Sequence, residues 1–125
     1  MLNRSVLIVR PKQPFVDWIN TADPEPDDDP HVFTLTEVNE DATAFLVEVE
    51  DEDELEKWLK KNWQPLFEEQ LEGWYVDPEL WPQARTLKMF REWCDFQLHT
   101  VVLDTGSTPL YDDENDELAP GTPST

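Results

Sequence analysis

The segment 82-PQARTLKMFREWCDFQLHTVVLD-104 decides the fold, because within it the last long helix must hand over to the last strand. Pro82 suits a first helical position, where a missing N–H costs nothing. Ala84, Leu87, Phe90, Cys94 and Leu98 then fall on one stripe at helical spacing, and Met89, Trp93 and Phe96 on another. The spacing predicts a helix from near Pro82 to Leu98, apolar on two sides and sandwiched between a sheet and another helix. HTVVLD, 99–104, rich in β-branched residues, is then the predicted last strand.

Upstream, Ser5 to Val9 (SVLIV) is a β-branched apolar run stopped by Arg10-Pro11 and reads as a buried strand. Phe15, Trp18, Ile19 and Ala22 follow i, i+3, i+4, i+7 behind Pro14, which predicts a short helix on that strand. In 23-DPEPDDDP-30, prolines and aspartates propagate neither helix nor ladder, so this is a solvent loop. His31–Glu37 (HVFTLTE) and Ala42–Glu50 (ATAFLVEVE) both alternate, predicting two strands of a hairpin that turns at 38-VNED-41. Asp51 or Asp53 caps a helix with an acidic first turn and apolar Leu55, Trp58, Leu59, Trp63, Leu66, Phe67 and Leu71. Pro65 is expected to kink or split it at Trp63-Gln64, and Gly73 to end it.

The predicted class is α+β, a single compact domain over 1–105 with the order β-α-β-β-α-α-β. That order suits a ferredoxin-like split βαβ sheet with one added helix, another α+β meander being the alternative. From 106 to 125 the chain loses periodicity and is loaded with Pro, Ser, Thr and acids, which predicts a disordered acidic tail.

A chain of 125 residues can bury a core without disulfides or metal. Its one cysteine, Cys94, rules out an internal disulfide and a Cys-rich zinc site and fits a reducing cytoplasm. The apolar run near the N-terminus is too short for a signal-peptide core or a membrane span. With 29 acidic against 9 basic residues, a formal charge of −20 repels nucleic-acid backbones and anionic lipid, so neither direct nucleic-acid binding nor membrane binding is expected. The acids concentrate at 23–30, at 48-EVEDEDELE-56 and in the tail.

Three motifs suggest chemistry. The run 101-VVLDTGST-108 resembles the active-site signature of pepsin-like and retroviral aspartic proteases, where two carboxylates share a proton. No second Asp-Thr-Gly exists and only a polar tail follows, so Asp104-Thr105-Gly106 reads as a strand end and turn. On a continuous helix Cys94 and His99 would point about 140° apart, given roughly 100° per residue, which makes Cys94 a buried structural thiol. His31 and His99 lack a third ligand at metal spacing, and 112-DDENDE-117 lacks the glycine and final glutamate of a calcium loop. No metal, cofactor or catalytic residue is assigned.

The stretch 74-WYVDPELWPQARTLKMFREW-93 holds three of the six tryptophans and three of the nine basic residues. Arg85, Lys88 and Arg91, spaced by three, keep to one helical flank. They either pair with the chain's own carboxylates or form an anion or acidic-peptide site bordered by Trp74, Tyr75 and Trp81. Those six are the candidate binding residues.

The segment 76-VDPELWPQARTLKMFREWCDFQLHTVVLD-104, with Asp-Pro, Trp-Pro, Arg, Phe, Trp and His spaced ahead of a final strand, resembles a family of small uncharacterised bacterial proteins. The resemblance implies a bacterial cytoplasmic protein and transfers no catalytic residue. The function expected is a non-enzymatic module that binds another protein, with the aromatic helical layer as its platform. An acidic nucleic-acid mimic that occupies a basic partner, and a small-anion binder or enzyme using the Arg85/Arg91 flank, are the alternatives.

Cutting the chain after Thr105 is expected to leave the thermal unfolding midpoint unchanged, because the tail has too little apolar surface to offset its ordering entropy. A large fall in the midpoint would show instead that the tail docks on the domain.

Overall fold

β1, Ser5–Pro11, is the central strand of the main sheet, paired antiparallel on one side with β2, Thr43–Val47, and on the other with β3, Cys94–His99. The computed structural model describes residues 2–25 and 27–112, and the backbone of 117–118. Strand alternation sorts the sheet into two faces. Leu7 sits between Phe45 and Leu98, and Val9 between Thr43 and Phe96, on the inner face. Leu7 and Val9 are sealed from solvent there. Four helices complete this α+β domain: α1 (Gln13–Thr21), α2 (Leu35–Val38), α3 (Glu52–Glu72) and α4 (Leu87–Trp93). Among the described residues no helix is long and apolar enough to cross a membrane.

Local chemistry explains each helix. Pro14 sits in the first turn of α1, which buries Phe15, Val16 and Ile19. Asp51 caps α3 by accepting from the Glu54 backbone N–H at 2.8 Å, while the Glu54 carboxylate accepts from the Glu50 N–H at 2.9 Å. α3 runs through Pro65 to Glu72 without splitting. Pro65 cannot donate to the Lys61 carbonyl and its ring crowds that carbonyl, but it lies on the exposed side of the helix, where solvent can take up the freed group. Phe67 of α3 stacks on Phe90 of α4, centroids 4.8 Å apart, and Trp93 meets the edges of Phe67 and Phe15.

Two expected elements are corrected. His31–Glu37 is not a strand: Thr34 caps α2, its hydroxyl accepting from the Glu37 N–H at 3.2 Å. The T-x-x-E pattern of 34-TLTE-37 is a helix-start signal that outweighs the alternation around it. Asn20 stands in for a partner strand, accepting from the Phe33 N–H and donating to its carbonyl, both at 2.9 Å. Without that strand the expected hairpin at 38–41 does not form, and among the described residues the main sheet has three strands, all antiparallel, rather than the four a ferredoxin-like layout needs.

The segment 82–104 also departs from its expected layout. The helix spans Leu87–Trp93 alone, and the last strand of the sheet is Cys94–His99, ahead of HTVVLD. Thr86 caps α4 by accepting from the Met89 N–H at 3.1 Å, so Pro82 to Arg85 stay outside it. CDFQLH alternates Cys94, Phe96 and Leu98 inward with Asp95, Gln97 and His99 outward. The same three apolar residues also fit helical spacing, and pairing to β1 settles the ambiguity. Beyond His99 one bond continues the sheet, from the Leu2 N–H to the Val102 carbonyl at 2.7 Å. Within the tail, Tyr111–Asp112 pairs with Glu117–Leu118. Of the expected disordered segment, 106–110 form no strand or helix, and 113–116 and 119–125 lie outside the described residues.

Phe67→Ala is expected to cost about 3–5 kcal/mol, enough to unfold a marginal domain, because it empties the contact between α3 and α4. Urea unfolding followed by circular dichroism checks this, and an unchanged midpoint would refute the central place given to that pair.

Candidate functional site

The six candidate residues lie on the connection from α3 to α4 and on α4 itself. Trp74 meets Phe33 edge to face at 5.0 Å. The Tyr75 hydroxyl donates to the Ile19 carbonyl at 2.6 Å, and its ring packs against Trp18 at 5.2 Å. Burial raises the Tyr75 phenol above its ordinary pKa, with the nearby Asp23 charge adding to the shift. Asp77 caps a short 3-10 turn, Pro78–Leu80, whose Leu80 carbonyl accepts from the Trp18 indole at 3.0 Å. Trp81 is buried, its indole N–H donating to the Tyr75 carbonyl at 2.7 Å. These bonds use up the polar edges of Trp18, Tyr75 and Trp81, binding the connection to α1.

The basic residues divide. The Arg85 guanidinium lies over the Trp81 ring at 5.5 Å, donates to the Pro82 carbonyl at 2.8 Å and approaches Glu68 of α3 at 3.9 Å. Its Nε is buried without a partner, as is Asn39 Oδ1. Arg91 is hydrogen-bonded to Glu56 of α3 and lies 6.0 Å from the Phe96 ring. Lys88 is exposed and forms no ion pair among the described residues. Arg85 and Arg91 thus hold the acidic helix α3 to the segment behind it.

The six are not brought together around one cavity. Trp74 lines a groove at the C-terminal end of α3, and Arg91 lines a separate one beside Glu52, Glu56 and Asp95. Tyr75, Trp81, Arg85 and Lys88 line neither, nor the cavity at the start of β1. The first groove gathers residues that the sequence reading passed over: Asp41, Thr43, Glu69 and Gln70. The available signal was Gln70, three residues beyond Phe67 and four beyond Leu66, a polar side chain on the apolar stripe of α3.

Reactive groups elsewhere are quiet. Cys94 is buried on the inner face, where desolvation, reinforced by the Asp95 charge, pushes its thiol up to about 12. At neutral pH it is protonated and a poor nucleophile. His99 occupies the opposite face of the same strand, so the two form no pair. Asp104 is exposed and accepts from the Gly106 N–H at 2.8 Å, a local turn. His31 bonds Glu37 at 2.8 Å, and this bond holds the Glu37 carboxyl below its ordinary pKa. Among the described residues no cluster of three or more His, Cys, Asp or Glu side chains is arranged to hold a metal ion.

Set beside protein-family models, curated proteins and solved structures, the chain gives no significant match to any of them.

The two arginines are expected to separate in stability measurements. Arg85→Ala removes a side chain only 20% exposed, together with its carbonyl and ring contacts, and should cost about 1–3 kcal/mol. Arg91→Ala breaks a solvent-exposed ion pair and should cost about 0–1 kcal/mol. Urea unfolding of both variants provides the comparison, and an Arg85→Ala protein as stable as the wild type would free Arg85 for ligand duty.

Proposed function

We propose that the protein is a non-enzymatic interaction module working in the cytoplasm, and that it engages another protein through the face of its sheet that no helix covers. The observation that carries this reading is the make-up of that face. Leu46, Val6 and His99 form one row across the three strands, and Ala44, Ile8 and Gln97 the next. Leu46 is 56% exposed, and Val6 and Ile8 are only partly covered. Arg10 pairs in register with Asp95 at one end, and Arg4 meets Glu48 at 3.5 Å at the other. An apolar centre inside a charged rim is the composition of a protein-binding patch.

This reading moves the platform from the aromatic helical layer to the sheet. The tryptophans and Tyr75 of that layer are engaged by the fold, and Arg85 and Arg91 by α3. A small-anion site on the Arg85/Arg91 flank loses support for the same reason.

Leu46→Glu is expected to leave the thermal midpoint nearly unchanged, since the side chain is exposed. It is also expected to abolish capture of the protein's partner. Quantitative comparison of proteins retained by wild-type and Leu46→Glu baits tests this. Equal capture by both, lost at high salt, would transfer support to the nucleic-acid mimic, whose binding would run through exposed carboxylates.

A further inference from the structure

At the C-terminal end of α3 a groove of about 180 Å³ opens between the helix, the loop after α2 and the start of β2. Pro11, Asp41, Thr43, Glu69, Gln70 and Trp74 are the walls that matter. Pro11 and Thr43 are inner-face positions of the sheet, so the groove lies on the helical side, away from the apolar outer face. The groove is therefore separate from the outer docking face.

Gln70 is the first observation. It is 8% exposed, yet its amide forms no hydrogen bond to any described residue. A polar side chain this enclosed and without a protein partner can take one from outside, water or a ligand. Neither of the two fully sealed unpaired atoms belongs to Gln70, which means that its amide meets the groove rather than packed protein.

Charge is the second. α3 is 21 residues long and has no basic residue in its last turn, which leaves the negative end of its dipole uncompensated. Asp41 and Glu69 add two carboxylates, neither of which has an ion-pair partner among the described residues. An anion is repelled from this groove and a cation drawn to it. Trp74 is the third, its ring held by the Phe33 edge so that an aromatic surface borders the groove.

We infer that this groove binds a small organic cation, an alkylammonium or alkylguanidinium head group. Asp41 and Glu69 supply the opposing charge, the Gln70 side-chain carbonyl accepts an N–H, and Trp74 covers the cation or its first methylenes. The volume is on the order of a cavity that holds a benzene ring, which fits such a head and a short stem. The head group comes either from a free amine or from a Lys or Arg side chain of a partner chain.

The test is a titration of the full chain, followed by the Trp74 indole and Gln70 amide signals in ¹H–¹⁵N spectra. The ligands are n-butylammonium, n-butylguanidinium and, as the uncharged control, n-butanol. The cations are expected to shift both signals where butanol does not. The double variant Asp41→Asn/Glu69→Gln, altered at two exposed side chains, is expected to weaken binding at least about tenfold. A blocked lysine peptide that binds more tightly than butylammonium assigns the head group to a partner's side chain, and the reverse order assigns it to a free amine. The inference is overturned if butanol and butylammonium act alike, if neither signal moves up to about 50 mM cation, or if the double variant binds as the wild type does.

Discussion

The stack of Phe67 on Phe90 is the contact on which the rest depends. It joins the long acidic helix to the short one that leads directly into β3. Phe96 meets the edge of Phe90 at 4.9 Å, and Trp93 reaches both Phe67 and Phe15, so α1, α3, α4 and β3 share one aromatic junction. Flat rings at offset and edge-on angles fill such a junction without the rotamer freedom that aliphatic chains retain. The junction also makes the abrupt change from helix to strand at Trp93-Cys94 tolerable. Lys12 at the end of β1 donates its backbone N–H to the Trp93 carbonyl at 2.7 Å, which ties off the helix end.

A formal charge of −20 makes α3 the hardest element to hold, since it opens with Glu52, Asp53 and Glu54 and carries four further glutamates. Helix-dipole attraction stabilises the first three, and two of the others, Glu56 and Glu68, are countered by arginines. Arg85 and Arg91 reach Glu68 and Glu56, near opposite ends of α3. Each pair is worth little alone, but both arginines also lay their guanidinium groups against rings, Trp81 and Phe96, so packing adds to charge. That double use is why a basic flank conspicuous in the sequence becomes internal scaffolding.

How much was legible in the sequence follows from how many signals each segment carries. SVLIV has one reading, and it is β1; the capped, periodic run after Asp51 has one reading, and it is α3. HVFTLTE holds two, alternation and a capping pattern, and Asn20, distant in sequence, decides between them. CDFQLH also holds two, and pairing with β1 decides. The candidate residues were legible as side-chain types but not as partners, because the lengths of Arg85 and Arg91 let them reach either solvent or α3. Gln70 was obscured by the apolar stripe around it. Its meaning depends on Asp41 and Thr43, brought beside it only by the fold.

The two sides of the sheet have different consequences for association. On the outer face an apolar centre favours contact, while the surrounding negative charge opposes contact with another copy of the same chain. Both edge strands are short, at five and six residues, and β3 turns Asp95, Gln97 and His99 outward, which further disfavours self-pairing. A partner that offers positive charge around an apolar contact meets neither obstacle. The groove at the end of α3 favours the same sign of charge through a different set of residues. The two proposed contacts therefore differ in kind: an apolar centre bounded by charges of both signs, Arg4, Arg10, Glu48 and Asp95, on the outer face, and a carboxylate-bordered groove that would select a cation on the helical side.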